Sequence, residues 1–257
     1  MMSGKKQVES KVRTTLPVAV RAGLAFILPL AGAFFFTAVI QQFGSQPATS
    51  QVENLPFFVG LGLLSLFLGL GWYGLPQIGL RGGRPLFSSI GFAVLGWAAL
   101  LAFRFYFISI RGLDSGLDKF FYRLLFEAFC LQIWTFGLLF RSLSDWRGPL
   151  TAVMITGILF GLIASLRFLE APEVPAISSL LYFLLWGIFY AIIRLRSGSL
   201  IGTSLVQAAQ SFTAWVVLTP DLASPGNNFS ALYTAATLAY FIFIWRLWPK
   251  QEEDYRV

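Results

Sequence analysis

The sequence predicts an all-α fold, a polytopic membrane bundle of about eight transmembrane helices, on three observations. First, 56% of the 257 residues are hydrophobic and only 12% are charged, about half the charged fraction of an ordinary soluble domain. Second, apolar windows of about twenty residues, long enough to cross a bilayer core, recur between residues 16 and 249 without a soluble-looking block between them. Third, Lys and Arg collect at alternate segment ends, as membrane topology requires. The expected division is a tail at 1–15, a single transmembrane domain at 16–249 and a tail at 250–257.

The opening residues, MMSGKKQVESKVRTT, are polar and basic. The apolar run behind them, 16–40, is too long for the core of a cleavable signal and is followed by more spans, so it reads as an uncleaved first span. Further spans are expected at 55–73, 86–110, 120–140, 148–166, 175–193, 199–218 and 229–248. Placing the N-terminus in the cytoplasm puts Lys5, Lys6, Lys11, Arg13, Arg81, Arg84, Arg141, Arg147, Arg194, Arg196, Arg246, Lys250 and Arg256 inside. Only Arg111, Lys119 and Arg167 then lie outside, so both termini are expected to be cytoplasmic. Arg21, Arg104 and Arg123 fall within spans, and the first two are expected to snorkel toward an interface. The expected setting is a bacterial plasma membrane or a thylakoid membrane.

The net charge of +7 does not point to nucleic acid, because the basic residues sit at segment ends rather than in one patch. The expected partners are the lipid bilayer and another membrane protein. A single cysteine, Cys130, leaves no intrachain disulfide. The chain has no histidine, which removes the commonest metal ligand and general base, so neither a metal nor a cofactor is expected. Two GxxxG spacings, Gly157 to Gly161 and Gly198 to Gly202, suit close helix contact, while Pro149, Pro172, Pro175 and Pro220 mark span edges. Asn228-Phe229-Ser230 fits a glycosylation acceptor but abuts a span and is set aside. Trp245 and Trp248 suit an interfacial aromatic belt.

The most unusual polarity lies in the seventh span. After Arg194 and Arg196, Ser197-Gly198-Ser199 breaks the helix, and Ser204, Gln207, Gln210 and Ser211 follow within three turns of an apolar run. Amides and hydroxyls at membrane depth need partners on other helices or in a wet cavity. The one intramembrane carboxylate, Glu127, follows Arg123 by four residues, a spacing that suits an internal ion pair.

Phe136 to Ala164, FGLLFRSLSDWRGPLTAVMITGILFGLIA, and Gly187 to Ser211, GIFYAIIRLRSGSLIGTSLVQAAQS, resemble the CPBP intramembrane proteases, the type II CAAX prenyl endopeptidases and bacteriocin-processing enzymes. The resemblance covers about 120–218 and implies a CPBP-like core there. Active members carry two adjacent glutamates with an arginine beyond them, then Phe-x-x-x-His, then His-x-x-x-Asn. Arg141 matches the arginine, but Phe136 and Gly137 stand at the glutamates. Phe160 matches the phenylalanine, with Ala164 at its histidine, and Gln207 and Ser211 stand at the last histidine and asparagine. By this resemblance no catalytic residue is expected, and the chain reads as a pseudoenzyme acting as a binding, assembly or regulatory factor. The alternative is an endopeptidase rearranged around Glu127, Arg141 and Gln207. Gln207 cannot titrate and serves at most as a hydrogen-bond donor to an oxyanion.

Overall fold

The computed structural model describes residues 15–43, 55–113, 116–122, 127–168, 176–222 and 224–256. Long apolar helices dominate: α1 (Val18–Phe43), α2 (Leu55–Trp72), α3 (Arg84–Phe107), α7 (Pro149–Phe168), α8 (Ala176–Ser197) and α10 (Phe229–Leu247). Among the described residues these are the six helices long and apolar enough to cross a membrane. The expected fourth and seventh spans are also helical, but each is interrupted. The fourth comprises α4 (Leu117–Tyr122), α5 (Phe129–Gln132), a π-helical segment Ile133–Leu139 and α6 (Phe140–Arg147). The seventh runs from α9 (Ile201–Phe212) into a π-helical segment Thr213–Val217. The molecule is thus an all-α polytopic membrane bundle, with large apolar side chains such as Phe35, Phe67, Phe87 and Ile177 exposed on its outer surface, as lipid contact allows.

Both interruptions coincide with a threonine that back-bonds to its own helix. Thr135 Oγ1 donates to the Leu131 carbonyl at 2.8 Å, and Thr213 Oγ1 to the Ala209 carbonyl at 2.7 Å. A hydroxyl on the i−4 carbonyl competes with the regular helix hydrogen bond and favours local rewinding. The second segment ends in a short antiparallel ribbon, β1 (Ile110–Leu113) with β2 (Leu218–Pro220), irregular between Ile110 and Gly112. The third span therefore stops at Phe107, earlier than expected, because the chain beyond it pairs as a strand. Asn228 is the N-cap of α10, its Oδ1 accepting from the Ala231 amide at 2.9 Å, which accounts for that residue structurally.

The closest backbone approach joins α7 to α8. A Cβ on Gly157 would lie 2.7 Å from Ile188 Cα, one on Gly161 2.6 Å from Leu184 Cα, and one on Gly187 would overlap the Gly157 carbonyl oxygen. The first GxxxG is therefore a packing seam of the small-residue kind. In the second, Gly202 abuts Ser89 and Ile90 of α3, whereas Gly198 supplies the φ of +77° that turns α8 into α9. Pro149 opens α7 and Pro220 closes β2, both at edges; Pro172 and Pro175 lie outside the described residues.

Three arginines depart from the sequence-based expectation. Arg21 and Arg104 do not snorkel outward. Arg21 is buried beside Asp145 at 3.6 Å and over the Tyr73 ring, and Arg104 Nη2 donates to the Leu218 carbonyl at 2.6 Å. Arg194, expected in a short basic cytoplasmic turn, is fully buried. It donates from Nε to the Phe136 carbonyl at 3.1 Å and from Nη2 to the Gln77 carbonyl at 2.7 Å. These carbonyls lie in the first π segment and in the turn after α2, so the guanidinium finds inward the partners that water would otherwise supply.

Replacing Gly187 by leucine is expected to lower the thermal midpoint in detergent sharply, because overpacking costs about 1–3 kcal/mol even against side chains and the obstacle here is backbone. Gly91→Ala, where a Cβ meets nothing within 4 Å, should leave the midpoint nearly unchanged in the same melting experiment.

Candidate functional site

The fourth and seventh rods face each other through a buried polar network. Gln132 Nε2 donates to Gln207 Oε1 at 2.6 Å, and Thr203 Oγ1 donates to Gln132 Oε1 at 2.6 Å. One turn on, Gln210 Nε2 donates to the Tyr182 hydroxyl at 2.7 Å, while the hydroxyls of Tyr190 and Tyr240 approach Gln210 Oε1 at 3.3 Å. The polar stripe is thus satisfied from α5, α8 and α10, as groups shut away from water must be. Ser204 is a structural hydroxyl, bonded to the Leu200 carbonyl at 3.0 Å. Gln132 was not singled out in the sequence. A lone amide inside an apolar run was the available signal, and its partner lies 75 residues away.

Beside this network is a cavity of about 430 Å³. Ala164, Gln207, Ser211 and Glu127 line it, together with Trp186, Leu131 and, on the α1–α2 side, Phe34, Phe57 and Phe58. Four of the residues singled out in the sequence, from α7, α9 and the fourth rod, therefore converge on one space. Glu127 is buried there; Arg123, its suggested ion-pair partner, lies outside the described residues.

The other motif positions do not line the cavity. Phe136 is fully buried, its ring centroid 5.1 Å from that of Phe160, which in turn meets Trp186 edge-on at 5.3 Å. Gly137 leaves little space, since an added Cβ would come within 3.1 Å of the Ile78 carbonyl oxygen and 3.3 Å of Leu200 Cδ2. Arg141 turns away toward the end of the bundle, where it pairs with Asp145 at 3.0 Å and faces the Tyr73 ring. Tyr73 in turn shares a 2.9 Å hydrogen bond with Ser142. Burial pushes the Tyr73 phenol above its ordinary value, against the lowering effect of that bond. Nearby, Arg81 is held below its ordinary value, chiefly by burial and then by the like charges of Arg141 and Arg256.

The cavity therefore offers one carboxyl, one amide and one hydroxyl, with apolar walls. Hydrolysis of a peptide bond requires an activated nucleophile and a stabilised oxyanion. Glu127 is the one titratable carboxyl among its lining residues. Among the described residues no cluster of three or more His, Cys, Asp or Glu could hold a metal ion.

Truncating one member of the amide pair strands the other. Gln207→Leu is expected to destabilise the protein by about 1–3 kcal/mol through the unsatisfied Gln132 amide. The double replacement of Gln132 and Gln207 by leucine should cost less than the sum of the singles. Thermal melting of the three variants beside the parent protein closes this cycle.

Residues 115–213 match the family model described as Type II CAAX prenyl endopeptidase Rce1-like, close to the stretch expected from the motifs. Comparison with curated proteins gives no match. Three of the residues singled out by the resemblance, Ala164, Gln207 and Ser211, lie within this stretch and line one cavity. Residues 115–213 of this polytopic helical bundle are thus an Rce1-like domain, similar to the type II CAAX prenyl endopeptidases.

Proposed function

We propose that this chain is a CPBP-type membrane protein that has lost proteolysis and works by binding, as an assembly or regulatory factor for another membrane protein. The observation that carries this reading is what occupies the motif positions. Phe136, in tilted ring contact with Phe160, stands where the resemblance puts one glutamate, and Gly137 stands at the other with the Ile78 carbonyl against it. Ala164, Gln207 and Ser211 replace groups that move protons or hold an amide in position, and the retained Arg141 is engaged by Asp145. Residues acting as one catalytic unit lose activity together. A second reading keeps Glu127 as a base and Gln207 as an oxyanion donor, because both line the same cavity.

The two readings separate in an assay of purified protein, Glu127→Gln and Gln207→Ala against a library of prenylated and unmodified membrane peptides. No turnover by any of the three, with a stoichiometric membrane partner recovered from mild detergent, is the expected result. Turnover by the parent protein that Glu127→Gln abolishes would establish the peptidase reading instead.

We further infer that both termini face the cytoplasm of a bacterial or the stroma of a thylakoid membrane. Arg81, Arg196 and Arg256 gather at the end of the bundle where α1 begins and α10 finishes. Contacts of Arg81 with the Arg256 carbonyl and of Arg196 with the Leu247 carbonyl support this grouping. Cys130 is buried and should give little background in labelling. In intact bacterial cells Ser224→Cys is expected to react with an impermeant thiol reagent added outside, and Gln251→Cys to react only after permeabilisation; the opposite pattern reverses the topology.

A further inference from the structure

A second cavity, of about 400 Å³, lies at the arginine-rich end of the bundle, apart from the Rce1-like site. Arg84 and Phe92 of α3, Arg196 at the end of α8, and Glu253, Asp254 and Arg256 of the C-terminal segment are among its lining residues. Ser88, also on its wall, falls between Arg84 and Phe92 at steps of four residues, so the three share one face of α3. At 1.5 Å of rise per residue, Phe92 sits about 12 Å along the helix from Arg84. The wall is therefore charged at the Arg84 end and carries an aromatic ring, the half-buried Phe92, about two turns further along α3, which suits an amphiphile with an anionic head.

The charges are unbalanced in the same sense. Asp254 is partly engaged already, 3.6 Å from Arg196 Nη2 and accepting from the Lys250 amide at 3.2 Å. Glu253 is exposed. Arg84 is exposed on α3, where it has no carboxylate within ion-pair distance among the described residues. Three guanidiniums against two carboxylates leave a surplus of one positive charge, the amount that one phosphodiester neutralises. A zwitterionic headgroup would bring a further cation beside the arginines, where like charges repel.

We propose that this cavity binds the phosphodiester headgroup of an anionic phospholipid, with its glycerol and upper acyl chain running along Phe92. The proposal is independent of whether the Rce1-like cavity is catalytic. Full-length protein in mild detergent is titrated with phosphatidylglycerol or phosphatidylcholine at matched concentrations, and bound lipid is counted by native mass spectrometry. Phosphatidylglycerol should be retained at one per protein with a preference of at least about tenfold, in line with the attraction of juxtamembrane basic residues for anionic lipid. Arg84→Gln with Arg256→Gln should erase that preference, and Asp254→Asn, by enlarging the positive surplus, should strengthen it. Equal retention of the two lipids, or an unchanged preference in both variants, would overturn the proposal. Displacement of the lipid by millimolar inorganic phosphate would overturn it too, since free phosphate would then be the ligand; failure of phosphate and of glycerol phosphate to compete is the expected outcome.

Discussion

Inside a lipid-embedded bundle every backbone carbonyl that leaves the regular helix ladder has to find a donor within the protein. The first π segment and the turn after α2 both release such carbonyls, and the guanidinium of Arg194 meets them at Phe136 and Gln77. Its plane also lies over the Phe140 ring, 5.5 Å from the centroid, which offsets part of the cost of burying a cation. The same turn is fixed again through Gly79. Its φ of +89° and missing side chain admit Arg194, while its carbonyl accepts from the Leu200 amide at 2.9 Å. One buried cation thus sets the spacing between the fourth rod, the α2–α3 turn and the start of α9, on which the geometry of the Rce1-like cavity rests.

Much of this could be read in the sequence because membrane length and apolarity are local properties. Seven of the eight expected spans match helical segments within a few residues at their described ends, while the fourth continues helically to Arg147, seven residues beyond its expected end. What could not be read is tertiary. A basic residue near a segment end has the same appearance whether its side chain meets headgroups or folds inward, so Arg21 was expected to snorkel toward an interface and Arg194 to lie in a cytoplasmic turn. Gln132 carries no local sign of its pairing with Gln207. The π segments left only a faint trace, threonines within apolar runs, and the β ribbon depends on pairing residues more than a hundred positions apart.

The polar network and the aromatic cluster lie close together in the bundle core, and they work in opposite senses. Gln132, Thr203 and Gln207 provide hydrogen-bonding capacity at depth, whereas Phe136, Phe160 and Trp186 meet through ring contacts. Oriented polar groups are thus held among apolar walls, as in ordinary ligand pockets, whatever the chemistry of the site.

The glycine seam between α7 and α8 has a mechanical meaning for the Rce1-like cavity. With backbone against backbone at Gly157, Gly161 and Gly187, neither helix can slide or part from the other without losing contact along several turns, so the two behave as one rigid wall that carries Ala164 and Trp186. The opposite wall is made of Phe34, Phe57 and Phe58, rings on α1 and α2 that turn about their own side-chain bonds. An entering molecule would therefore find one face of the cavity fixed and the other yielding, and the easiest route for widening runs between α1–α2 and α7, sideways into the plane of the membrane.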